Sequence, residues 1–392
     1  MNRLWQQLAI ATNWPVLAAI GVLCAMGIIS IAAQAPDEAL KQLAFLGIGI
    51  GLMAVVQAMN YQVIGRFAWV FLIGSLVLVL YTVVGAMRGG ATPLPLVRPV
   101  NGAYAWLRLG SMSFEPSEVT KIAYILVMAR YLRFRTTYRT LKGLIPPFAL
   151  TLLPMALIMK QPDLGVAVLF LPTLFVMLFV AGAKVKHLVS IVAIGMAMLP
   201  VLWLLGKPDP NRPAVGRVPA LMKSYQWERV KSLLSDDPAI LQGGGFQQEH
   251  ALIAMGSGGF AGKGLGQVVI GKKVPEAHND MIFCLIGEQF GFIGSAILLG
   301  AYVVLFASGV EIAAATKEPF GKLIAVGVVA MLAAQTFVNL GVATRMLPVT
   351  GITLPFVSSG GSSLLANFMA AGLLLNVGQN RPLVMARRAF EY

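Results

Sequence analysis

The chain has 392 residues, of which 57% are hydrophobic and only 12% charged, and its mean hydropathy is +0.78. Soluble domains carry about 25% charged residues, so this composition excludes a water-soluble globule and predicts an all-α integral membrane protein that crosses the bilayer many times. The net charge of +14 is no nucleic-acid signature, because most Lys and Arg fall in short connections between apolar runs, where membrane topology accounts for them. Cys24 and Cys284 both lie inside apolar runs and offer neither a disulfide framework nor zinc or iron–sulfur spacing.

Apolar runs near the length that crosses about 30 Å of hydrocarbon recur about ten times. They predict helices over 14–33, 43–59, 68–87, 116–132, 144–160, 163–181, 187–206, 281–312, 320–343 and 362–378. No small-residue cleavage site follows the first, which is therefore read as a retained span. Arg3, Arg66, Arg130, Arg133, Arg135, Arg139, Lys142, Lys184, Lys186, Lys317, Lys322, Arg381, Arg387 and Arg388 gather on one side, against Lys41, Arg88, Arg98, Arg108, Lys160 and Arg345 on the other. This bias predicts both termini in the cytoplasm. Two outer connections are long. Residues 88–115 are rich in Gly and Pro, then amphipathic around Trp106, a residue equally suited to an interfacial anchor. Residues 207–280 form the one large extracytoplasmic loop, between the seventh and eighth helices of a single polytopic domain, 1–392.

Ionisable groups at membrane depth are costly and point to function by default. The polar run Lys272-Lys273-Val274-Pro275-Glu276-Ala277-His278-Asn279-Asp280 leads straight into the eighth span. On a helix, Glu288 would lie about 12 Å deeper than Asp280. Glu118 and Lys121, three apart, can pair on one helix face; alternatively Lys121 neutralises a substrate phosphate. Asp163, in Gln161-Pro162-Asp163-Leu164-Gly165, reads first as a helix N-cap. Gly243-Gly244-Gly245 and the run from Gly256 to Gly264, with Lys263, suit either a flexible hinge or tight turns, or backbone approach to a phosphate. The segment from Arg345 to Ser363 is apolar but broken by Pro and Gly, so it predicts a re-entrant, non-helical stretch lining a cavity. His278 suits orienting its polar neighbours. Glu276, His278 and Asp280 alternate so that a divalent cation could bind, but no further ligands accompany them. No organic-cofactor motif occurs.

Several motifs, taken in order, resemble one family. They are Val100-Asn101-Gly102-Ala103 with Trp106 and Leu109-Gly110, Glu115-Pro116-Ser117-Glu118 with Lys121, and Gln161-Pro162-Asp163-Leu164-Gly165. Ile253-Ala254-Met255-Gly256-Ser257-Gly258-Gly259, Pro275-Glu276-Ala277-His278-Asn279-Asp280 and the run from Leu347 to Phe356 complete the set. Across nearly the whole chain the sequence resembles the SEDS proteins, the RodA, FtsW and SpoVE group of bacterial cell-wall glycosyltransferases with ten transmembrane helices. Departures include Tyr104-Ala105 where the family often carries basic residues, and Gln289 where a second Glu is common. Gly262-Lys263-Gly264 leans towards the elongation member, and Pro275-Glu276-Ala277-His278 towards the division member.

The resemblance implies polymerisation of lipid II at the outer face of the bacterial cytoplasmic membrane, with a class B penicillin-binding protein as partner. It makes Asp280 the essential acidic residue and Trp106 the family tryptophan. Inverting transfer from an α-linked pyrophosphate needs one base for the acceptor hydroxyl and cations for the leaving group. A retaining route usually recruits a second carboxylate as nucleophile. Asp280 is therefore assigned as general base or acceptor-positioning group, and Arg108, Lys121 and the basic residues of the large loop, Lys263 among them, as candidate pyrophosphate contacts. Trp106, Glu118, Glu276, His278 and Ser359 complete the expected substrate site. A lipid II flippase, or a scaffold that activates the partner enzyme, would share this gross topology. The polar motifs, however, concentrate on one face, whereas alternating access needs a site served from both.

Overall fold

A computed structural model describes residues 13–88, 94–97, 104–110, 112–161, 163–206 and 245–379. Residues 100–103, 243–244 and the basic positions of 207–231 lie outside these. Ten long helices occur among the described residues, named here with two short ones in chain order. They are α1 (Trp14–Gln34), α2 (Pro36–Ala58), the short α3 (Tyr61–Arg66), α4 (Ala68–Arg88), α5 (Pro116–Phe134) and α6 (Ile145–Lys160). Then come α7 (Leu164–Ala181), α8 (Val185–Gly206), the short α9 (Phe246–Ser257), α10 (Ile282–Ala315), α11 (Pro319–Ala343) and α12 (Gly361–Gln379). A small antiparallel hairpin, β1 (Leu107–Leu109) and β2 (Met112–Phe114), precedes α5. Among the described residues, eight helices are long and apolar enough to cross a membrane. α5 is not among them because Glu118, Lys121, Arg130 and Arg133 interrupt its apolar sequence.

The helix starts follow from local chemistry. Pro36, Pro116 and Pro319 occupy first-turn positions, where the missing N–H costs nothing. Asp163 caps α7 by accepting from Val166 N at 3.0 Å, and Glu318 caps α11 by accepting from Gly321 N at 2.6 Å. Gly182, at φ +96°, closes α7 in the left-handed region. α2 begins at Pro36 rather than near 43, because Asp37 and Glu38 form a favourable acidic first turn instead of a loop.

α5 and α12 lie at the centre, and α2 and α4 towards the outside. In α12 72% of the apolar stretch is buried, against 22% in α2. α12 packs chiefly on α2, α10 on α1, and α11 on α7, α10 and α5. The outward faces remain apolar, as Val70, Ile73, Val77, Val303 and Val310 illustrate, which suits a hydrocarbon solvent. Between α11 and α12 the chain is non-helical, yet Ile352, Leu354, Phe356, Val357 and Ser358 are buried in protein.

The glycine run after α9 forms tight turns, and is neither a loose hinge nor an open phosphate loop. Gly291, at φ +62°, breaks the regular geometry of α10 and frees backbone groups that need partners. The 258–264 segment supplies them. Lys263 N and Gly264 N donate to Glu288 O and Gln289 O, each at 3.0 Å, while Phe292 N and Ile293 N donate to Gly259 O and Phe260 O at 2.9 and 3.1 Å. Only glycine permits so close an approach: a Cβ on Gly262, itself at φ +83°, would lie 2.1 Å from Gln289 O. Gly262→Ala is therefore expected to destabilise the protein by about 2 kcal/mol or more, read as a lowered Tm in detergent. Gly264→Ala shares the backbone strain, at φ +107°, but its added Cβ meets nothing closer than Gln267 Cγ at 3.8 Å, so it should cost less by the missing clash. Equal shifts would refute the close-packing account.

Candidate active site

A cavity of about 700 Å³ opens at the end of the bundle where α2, α5, α7, α10 and α12 begin. Its walls bring together Trp106, Glu118, Glu276, Asp280 and Ser359, together with Glu38, Lys41, Glu115 and Asp163. The irregular stretch from Val349 to Thr353 forms a further wall.

Asp280 ends a tight turn just before α10. Glu276, at φ +52°, bends the chain so that Asn279 N donates back to Glu276 O at 2.9 Å. Asn279 Nδ2 also donates to Glu276 Oε2 at 2.7 Å. Ala277 is buried beneath the turn, which leaves Glu276, Asn279 and Asp280 lining the cavity. His278 points elsewhere. Its Nδ1 lies 3.2 Å from Gln34 Oε1, and its carbonyl accepts from Ser359 N at 2.9 Å. It thus braces the turn against α1 and against the approach to α12.

Glu118 sits in the first turn of α5, where the helix dipole favours an anion. Lys121 Nζ lies 2.9 Å from its Oε2 and donates to Gln335 Oε1 at 3.0 Å. The Lys121 side chain is only 2% exposed, so its charge is used inside the wall and not in the cavity. Glu115, just before α5, accepts from Ser117 Oγ at 2.6 Å. Withdrawal from water pushes its carboxyl well above the usual range, and the charges of Asp163 and Glu118 add to the shift. Burial also raises Asp163, partly opposed by the Val166 N–H.

The other two expected phosphate contacts, like Lys121, lie outside the lining. Arg108 is exposed on β1, across the hairpin from Ser113, which does line the cavity. Lys263 Nζ instead lies 2.5 Å from Glu288 Oε1. Glu288 is fully buried and also accepts from the amides of Val269, Ile270 and Gly271 at 3.0, 2.9 and 2.7 Å. This carboxylate anchors the loop to α10, which is how its depth is tolerated.

Lys41 was not singled out by sequence reasoning. It is the one cation among the described lining residues, with Nζ 2.7 Å from Glu38 Oε1. Gln335 and Asn339 were also missed, although two amides four residues apart in an otherwise apolar span are a legible polar stripe. Among the described residues no three His, Cys, Asp or Glu side chains converge as a metal site.

A family model described as "Cell cycle protein", covering FtsW, RodA and SpoVE, matches residues 7–382. The chain belongs to this FtsW/RodA/SpoVE family. It is 36% identical over 351 residues to Stage V sporulation protein E of Bacillus subtilis (strain 168), covering 86% of each chain. It is 34% identical to a probable peptidoglycan glycosyltransferase FtsW of Geobacter sulfurreducens, over 84% of this chain and 82% of the relative. A chain from a solved peptidoglycan synthase complex, in a study of how polymerization and crosslinking are coordinated, superimposes with a TM-score of 0.76 at 30% identity. That match spans 95% of this chain and 98% of the other. The protein is accordingly an integral membrane protein of this fold.

Proposed function

We propose that the protein is a peptidoglycan glycosyltransferase that polymerises lipid II into glycan strands at the outer face of the bacterial cytoplasmic membrane. Both termini are cytoplasmic in this reading, 207–280 is the large outer loop, and a class B penicillin-binding protein is the partner. The observation that carries it is the cavity itself, in which Asp280 stands beside Trp106, Glu118 and Ser359 at one end of the helix bundle. The names of the relatives agree with it.

Asp280 takes the proton of the acceptor hydroxyl as that oxygen attacks the anomeric carbon and undecaprenyl pyrophosphate departs with inversion. Trp106 and Ser359 contribute the sugar-facing wall, and Glu118 and Glu276 hold polar contacts around it. His278 supports the turn. The departing pyrophosphate needs positive charge, and Lys41 supplies it within the described lining, with Arg108 at the rim. Lys41→Ala is therefore expected to raise the KM for lipid II about tenfold, with Lys41→Arg close to wild type. An unchanged KM in Lys41→Ala would remove this residue from the site.

The reading is tested by incubating the purified protein and its cognate penicillin-binding protein with lipid II, the partner's transpeptidase being blocked by a β-lactam. Long glycan strands are expected. Exchange of labelled lipid II between leaflets without glycan would instead establish a flippase, and neither activity would leave a scaffold.

A further inference from the structure

Asp280 and the irregular segment after α11 share a support that lies on neither of them. Asn339, on α11 and only 1% exposed, uses a single amide nitrogen twice. Its Nδ2 donates to the backbone carbonyl of Asp280 at 2.7 Å and to that of Ile352 at 2.6 Å. One turn earlier, on the same stripe of α11, Gln335 is equally buried. Its Nε2 donates to Thr353 O at 3.0 Å, while its Oε1 accepts from Lys121 Nζ at 3.0 Å.

The Asp280 carbonyl precedes α10, and those of Ile352 and Thr353 lie in non-helical chain. Away from water such carbonyls require donors. The α11 amides satisfy adjacent carbonyls of one cavity wall, bind them to the carboxylate-bearing turn, and join both to the Glu118–Lys121 pair. Because an amide NH₂ directs its two hydrogens at a fixed angle, one side chain sets the separation of Asp280 from the Ile352–Thr353 wall.

We propose that Asn339 and Gln335 are positioning residues for glycosyl transfer, fixing where the Asp280 carboxylate stands relative to the wall that receives the sugar. This rests on the glycosyltransferase reading above. Misplacement of a reacting group by about 1 Å can cost on the order of 100-fold in rate, so the effect should appear in kcat more than in KM.

The molecule contains its own control. On α12, Asn376 Nδ2 likewise donates to two backbone carbonyls, those of Val56 and Met59, at the far end of α2 from the cavity. Asn339→Ala and Asn376→Ala remove the same chemistry from two places. Both full-length variants, with the partner enzyme, are assayed for Tm and for kcat and KM with lipid II. Similar losses of Tm are expected. Asn339→Ala should lose about tenfold or more in kcat with KM within about twofold, whereas Asn376→Ala keeps its kcat. Should Asn339→Ala fail to fold, Gln335→Met is judged against Asn376→Ala in the same way. Equal kcat in the two, at equal loss of Tm, overturns the proposal and leaves a purely structural amide. No glycan from the wild type overturns this proposal and the function reading together.

Discussion

Lys121→Met is expected to destabilise the protein by about 3–5 kcal/mol, the largest loss of any single side-chain change away from the glycine contacts. The ammonium and the Glu118 carboxylate are 2% and 4% exposed and lie 2.9 Å apart. Removing the cation leaves a carboxylate in the wall with no countercharge, and strips the Gln335 Oε1 of its donor. The desolvation cost that the pair offsets would then stand alone. The double variant Glu118→Gln/Lys121→Met should recover much of the stability, since replacing both members of a buried pair is often close to neutral. Thermal or denaturant unfolding in detergent measures both. A single variant within about 0.5 kcal/mol of wild type would mean that the pair is not buried as described.

The contrast between what was and was not legible in the sequence follows from the range of the interactions. Helix positions depend on local hydropathy and punctuation, so the expected spans 68–87, 281–312 and 320–343 coincide closely with α4, α10 and α11. Asp163 was readable as a cap because its partner, Val166 N, is three residues away. The Glu118–Lys121 pair was readable for the same reason. Lys263 was not. Its partner Glu288 is 25 residues distant, and a lone lysine beside glycines carries no sign of which anion it will meet. The glycine run was legible as tight turns but not in its purpose, which depends on the Gly291 break in a different helix. Gln34, which binds both His278 and the carbonyl of Gly271, has partners more than two hundred residues away in sequence and left no signal at all. Asn339 is intermediate: a polar group in an apolar span marks importance, but only the fold reveals that it holds Asp280.

Asp280→Asn should abolish glycan synthesis while leaving the fold intact. The replacement is isosteric, and the backbone carbonyl that Asn339 holds at 2.7 Å is unchanged. The turn from Pro275, with Glu276 in its left-handed conformation, is closed by the Asn279 hydrogen bonds to Glu276, which the replacement leaves in place. In the proposed mechanism, what disappears is the capacity to accept a proton from the sugar hydroxyl, a contribution of about 10²–10⁴ in rate. Glu288→Gln provides the opposite case, a carboxylate whose ligands are Lys263 and three backbone amides and whose loss should lower stability before chemistry. The most direct test combines two readings on the Asp280→Asn protein with its partner enzyme: lipid II affinity and the rate of strand formation. Affinity within about threefold of wild type, with polymerisation reduced at least about 100-fold, is the result the account predicts. Strands formed at the wild-type rate would contradict it, because the Asp280 carboxylate in the cavity wall would then have no part in the transfer.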